Sequence, residues 1–156
     1  MDIALLDKVL HRDQEAIALF GEAEHCAVID WRDGPVEIVA AFAAFLPNGY
    51  LTIKRCNEIE YELVVHGKSP KVMLVSPQTR QEAHILAINE ALSPEFEIRQ
   101  FRPCEGDGYS LFVAPSSVWA NIQSEHHQAA ERLFLTAQRL FTYWSKNYIA
   151  RLFTRP

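Results

Sequence analysis

The stretch NEIEYELVV, residues 57–65, alternates almost without error, with Ile59, Tyr61, Leu63 and Val65 on one parity and Glu58, Glu60 and Glu62 on the other. Successive side chains of a strand point to opposite faces, so the pattern specifies a strand with one buried and one wet face, as in an antiparallel sheet packed on one side. A slip of one residue would bury the three carboxylates, which fixes the parity of any pairing. The expected partner is YLTIKRC (50–56), joined by a loop of Arg55, Cys56 and Asn57 with Asn57 in the left-handed region. That register sets Lys54 opposite Glu58, Thr52 opposite Glu60 and Tyr50 opposite Glu62. The nearest rival sets Lys54 opposite Glu60, so in both one lysine faces the acidic row.

The rest of the chain supplies the elements this hairpin would pack with. Ile3, Leu6, Val9, Leu10, Ile17 and Phe20 recur at helical spacing after Asp2 and before Gly21, predicting a helix over 3–20 whose weak point is HRD at 11–13. CAVIDWR (26–32) is apolar on both parities and reads as a central strand. In DGPVEIVAAFAAFLPNG, Gly34, Pro35 and Glu37 stand at N-cap, N1 and N3 of a second helix. KVMLVS (71–76) reads as a third strand. A helix follows, with Thr79 and Glu82 as a capping box and Ser93-Pro94 as its end, and then a hairpin of EFEIRQFR and YSLFVAP. From Ser117, Val118, Ile122, Ala129, Leu133, Ala137, Leu140 and Trp144 keep helical spacing into the mid-140s, predicting one long C-terminal helix of ~42 Å. The sum is a single α+β domain over 1–156, a mostly antiparallel sheet of about six strands packed with four helices.

Composition narrows the function classes. Asp2 and Asp7 stand where a signal peptide needs basic residues, and no apolar run approaches the ~20 residues that span a bilayer, so the expected location is cytoplasmic, with no membrane contact. Cys26, Cys56 and Cys104 follow no metal-ligand spacing and read as reduced thiols. His25 beside Cys26 is not an activated pair, because strand neighbours face opposite ways. The net charge of −5 is divided unevenly. Residues 1–70 hold twelve acids and six Lys or Arg, whereas after Glu131 there are five Lys or Arg and no acid. The acidic front disfavours nucleic acid as the main ligand, although the basic tail stops short of excluding it.

Motifs of catalysis are few. HRD lacks the other kinase signatures, the glycines of PCEGDG lack a strand-to-helix setting, and no P-loop or nucleophile elbow occurs. His127 and Glu131, at i and i+4, could share an ion, but two ligands do not make a site. The Glu58, Glu60, Glu62 row admits three readings: a metal site, a solvated face and a docking surface for a basic protein. Alternate strand residues stand ~6.6–7 Å apart, while oxygens on one Ca²⁺ stand ~3–4 Å apart, so the expectation is a metal-free, exposed row that forms part of a partner surface. Tyr143, Trp144 and Tyr148 exceed what one packed helical stripe requires and are expected to meet either a partner or, in a homodimer through the C-terminal helix, a second subunit.

IDWRDGP (29–35) and INEALSPEFEIR (88–99) are similar to segments of small uncharacterised bacterial proteins, some of which resemble the immunity proteins made beside secreted toxins. The resemblance covers about a third of the chain, brings no catalytic or cofactor motif, and implies a bacterial binding protein that neutralises a cationic toxin. The expectation is thus a non-enzymatic protein-binding module with no cofactor. The alternative is a small hydrolase assembled from His126 or His127 and a strand carboxylate.

Overall fold

Two aspartates set the helices at the start of the chain. In the computed structural model, which describes residues 2–22, 24–68, 73–75, 80–103 and 108–153, the Asp2 carboxylate accepts from the Leu5 amide at 3.0 Å and Asp13 from the Ala16 amide at 2.9 Å. Each cap satisfies donors that a helix start leaves unpaired. The helix expected over 3–20 is therefore two, α1 (Ile3–Leu10) and α2 (Gln14–Phe20), with Arg12 of HRD at φ 67° turning the chain between them. There follow β1 (Ala27–Asp30), α3 (Pro35–Ala43), β2 (Leu51–Arg55), β3 (Glu60–Val65), β4 (Met73–Val75) and α4 (Gln81–Leu92). The second half comprises β5 (Phe96–Phe101), β6 (Gly108–Pro115), α5 (Ser116–Glu125), α6 (His127–Leu133), β7 (Phe134–Thr136) and α7 (Ala137–Phe153).

The class is α+β and, among the described residues, every strand pairing is antiparallel, but the strands form two sheets, ordered β1-β6-β5-β7 and β2-β3-β4. Seven helices occur among the described residues, against the four expected. Both hairpins and the third strand lie where the sequence puts them. At α3, Glu37 at N3 accepts from the amide of the N-cap Gly34 at 3.1 Å, in the positions expected. Ser93 ends α4 as expected, whereas the N-cap position belongs to Arg80 and Thr79 lies outside the described residues.

The four-stranded sheet is covered on both faces. Ala27, Ile29, Ile98, Leu111 and Val113 join α3, α4 and α7 in one core, together with Leu51, Leu63 and Leu74 of the smaller sheet. On the opposite face Phe101, Phe112 and Phe134 pack with α1, α2, α5 and α6 around Phe20 and Trp119. Ring centroids there lie 4.9 Å apart for Phe20 and Phe112 and 5.1 Å for Trp119 and Phe134, within the range of favourable tilted and edge contacts. Contrary to expectation, β1 is an edge strand: among the described residues it pairs only with β6, and Val28 is 47% exposed. Its apolar parities serve one core side and one open side.

The long C-terminal helix is also corrected. His126 leaves helical geometry, and residues 134–136 become β7, which pairs with β5 through Phe101 opposite Phe134. Leu133, Phe134 and Leu135 are consecutive apolar residues, so the run fits a strand as well as a helix. Here the Phe cluster decides, because the strand delivers Phe134 to it.

Candidate functional site

The β2–β3 hairpin keeps the expected parity but not the expected register. Ile53 faces Leu63, Leu51 faces Val65, and Lys54 faces Glu62 rather than Glu58 or Glu60. The shift is even, so the apolar face stays inward. The cause is Asn57, whose side chain accepts from the amides of Ile59 and Glu60 at 3.0 and 2.9 Å. That is an Asx-type turn, wider than the predicted loop, and Asn57 is not in the left-handed region. The acidic row is consequently divided. Glu58 lies in the turn, exposed; Glu60 accepts from the Asn57 amide group; Glu62 meets the Lys54 ammonium at 3.9 Å. Ile59, assigned by its parity to the buried face, instead sits in the turn and is 46% exposed.

The C-terminal aromatics separate as well. α7 runs across the inner side of the four-stranded sheet, with Ala137 and Leu140 buried and Trp144 packed on the core, its ring 6.4 Å from that of Tyr109. Tyr143 meets Trp144 edge-on at 5.7 Å but remains 58% exposed. The side chain of Tyr148 lies outside the described residues. Arg139, Tyr143 and Lys146 share one helical stripe. With Arg102 beyond β5 and Leu135 of β7, they line a groove of about 560 Å³. Arg139 donates to Glu131 at 2.6 Å, and this bond holds the Glu131 carboxyl below its ordinary range.

The histidines of SEHHQAAE take other partners. The ring of His126 lies 5.2 Å from that of His11, and the ring of His127 contacts the Gln123 side chain. Glu131, the other half of the possible i, i+4 ligand pair, turns to Arg139. Among the described residues no strand carboxylate bonds either histidine, and no three His, Cys, Asp or Glu side chains converge as metal ligands. Cys26 is buried, its thiol donating to the Phe20 carbonyl at 3.2 Å, while His25 stacks on the Phe20 ring; Cys56 is exposed and Cys104 lies outside the described residues.

Two polar contacts were not foreseeable from local sequence. The Tyr50 hydroxyl donates to Glu95 at 2.7 Å across 45 residues, and His66 Nε2 lies 3.5 Å from the same carboxylate. Burial and then the bond to Glu95 push the Tyr50 phenol up to about 12. Tyr109 likewise donates to the buried Glu82, and burial foremost raises its phenol above the ordinary value. Both pairs join elements distant in sequence, so spacing gives no sign of them. Trp31, 66% exposed with the Arg32 guanidinium 5.6 Å from its ring, is a further surface aromatic that sequence reading passed over.

Comparison with family models, with curated proteins and with solved structures returned no match to the chain. No helix among the described residues is long and apolar enough to cross a membrane.

Proposed function

We propose that this is a non-catalytic protein-binding module whose β2–β3 hairpin docks a cationic protein, a bacterial toxin being the first class to test. The observation that carries the reading is the outer face of β3. It carries the half-buried Glu60 and Glu62 beside the exposed Glu58 and Ile59, on a sheet whose inner face is anchored by Leu51, Leu63 and Leu74. A charged row on a rigid base is preorganised for steering a partner of opposite sign. Lys54 offsets one carboxylate only, at 3.9 Å and with most of its own side chain in water. The two segments whose resemblance motivates the toxin class, 29–35 and 88–99, lie in β1 and its following turn and in α4 and β5, away from the hairpin.

The test is capture of the partner from native extract by the full chain, followed by association kinetics across a salt series. The expected partner has a net positive charge, and its on-rate falls as salt rises. A neutral or acidic partner, or an on-rate indifferent to salt, overturns the reading.

A further inference from the structure

The groove beside α7 has the opposite character to the hairpin. Among the described residues its charged side chains are Arg102, Arg139 and Lys146, with no carboxylate, in a chain of net charge −5. Arg139 is steadied by Glu131, while Arg102 and Lys146 form no ion pair among the described residues. Two cations without an ion pair among the described residues, beside a third that is held in place, suit an anion with several oxygens, because guanidinium forks match phosphate geometry. The groove also has a flat apolar component. Tyr143 offers an exposed ring, braced at a right angle by Trp144, next to Leu135. Phosphate ions alone have no use for such a surface, and apolar ligands have none for the three cations. The volume of about 560 Å³ falls in the usual range for small-molecule sites, ~300–1,000 Å³.

We infer that this groove binds a nucleoside phosphate, with the phosphates held by Arg102, Lys146 and Arg139 and the base stacked against Tyr143. The site is independent of the hairpin surface and involves no covalent step. Its confinement to one small groove is consistent with a single nucleotide on a protein whose acidic front repels longer polyanions.

Titration calorimetry of the full chain with ADP, adenosine, inorganic phosphate, an oligo-adenylate and a glutamate-rich peptide tests it. ADP is expected to bind saturably at one site per chain, at least tenfold more tightly than adenosine or phosphate. Tyr143→Ala is expected to weaken ADP about tenfold or more, as loss of a base–aromatic stack does. Arg102→Gln with Lys146→Gln should weaken ADP and flatten its salt dependence while leaving adenosine unchanged. All three positions lie at the surface, so the variants should fold; unchanged circular dichroism and unfolding midpoint check this.

Several outcomes overturn the inference. Absence of ADP binding does so directly, and phosphate binding as tightly as ADP reduces the groove to an anion patch. Tighter binding of the glutamate peptide makes it a protein-docking surface, and tighter binding of the oligo-adenylate makes it a strand-binding one. Sedimentation showing a dimer at working concentration that Tyr143→Ala dissociates removes the site altogether.

Discussion

The two sheets differ in how many faces they bury, and the difference separates scaffold from surface. In the four-stranded sheet, β6 carries Leu111 and Val113 to one core and Phe112 and Ala114 to the other, so nearly every side chain of YSLFVAP is committed to packing. In the three-stranded sheet Leu51, Leu63 and Leu74 join the core, while among the described residues Thr52, Lys54 and the half-buried Glu60 and Glu62 stand on the other face. Residues available to a partner come from where packing stops: the outer face of β3, the turn before it, and the groove where β7 ends the larger sheet.

The sharpest way to break this comparison is to truncate one side chain packed against the larger sheet and one on the open face of the smaller. Trp119 is buried on the doubly covered sheet, donates from Nε1 to the Glu97 carbonyl at 2.9 Å and lies under the Arg99 guanidinium. Trp119→Ala should cost about 3–5 kcal/mol in urea unfolding, whereas Thr52→Ala on the open face should cost less than about 1 kcal/mol. Similar losses would mean that the outer face is covered in the folded protein. Next in size is Gly108→Ala. A Cβ at Gly108 would fall 2.3 Å from the Ile29 carbonyl oxygen, so the edge strand β1 must shift away from β6. The expected loss is about 1–3 kcal/mol, the range for overpacking, with faster amide exchange along β1.

The helix break at HRD shows what local sequence conveys and what it does not. Asp13 is a capping residue by type, and the break is legible in that sense. The apolar spacing across it is nevertheless good enough to suggest one helix. Asp13→Ala should destabilise by about 1 kcal/mol through the lost bond to the Ala16 amide, read from the unfolding midpoint at constant m-value. The helices at α3 and α4, both hairpins and the α+β class follow from alternation, turn residues and caps. β7 does not, because Leu133, Phe134 and Leu135 satisfy either periodicity and only the distant Phe101 and Phe112 choose the strand. The hairpin parity is legible in Tyr61 to Val65, but its loop, and with it Ile59, depends on which groups the Asn57 side chain binds. As for the candidate sites, Tyr143 and the excess of C-terminal cations stand out in sequence. Their meeting with Arg102 depends on α7 folding back over the sheet.

A pH experiment sharpens the same contrast at the open end of β1. Asp30 is lowered to about 2, first by the side-chain bond from Arg32 and then by the Arg32 amide. A depressed carboxylate contributes stability that is fully present above its unfolded value, ~3.9, and is lost as pH falls toward about 2. In Arg32→Gln the Asp30 carboxyl midpoint, followed by carboxyl-carbon NMR, should rise toward the ordinary value. An unchanged midpoint would show that Arg32 does not hold the carboxylate. Because the pair is exposed, the accompanying change in stability should be small.

The smallest expected change in stability accompanies the largest expected change in recognition. Replacing Glu58, Glu60 and Glu62 together by Gln leaves Leu63 and Val65 packed and the strand parity intact, so unfolding should shift by no more than about ±0.5 kcal/mol. Within that limit the residues are unequal. Glu62 loses its partner Lys54, whereas a Gln at position 60 can still accept from Asn57, and position 58 has no bond to lose among the described residues. Against a cationic partner the same triple change should slow association and reduce its dependence on salt, because long-range attraction acts mainly on encounter rates. Dissociation should change less. If stability falls by several kcal/mol, the row belongs to the scaffold; if stability holds and the kinetics do not move, the outer face of β3 is an ordinary solvated surface.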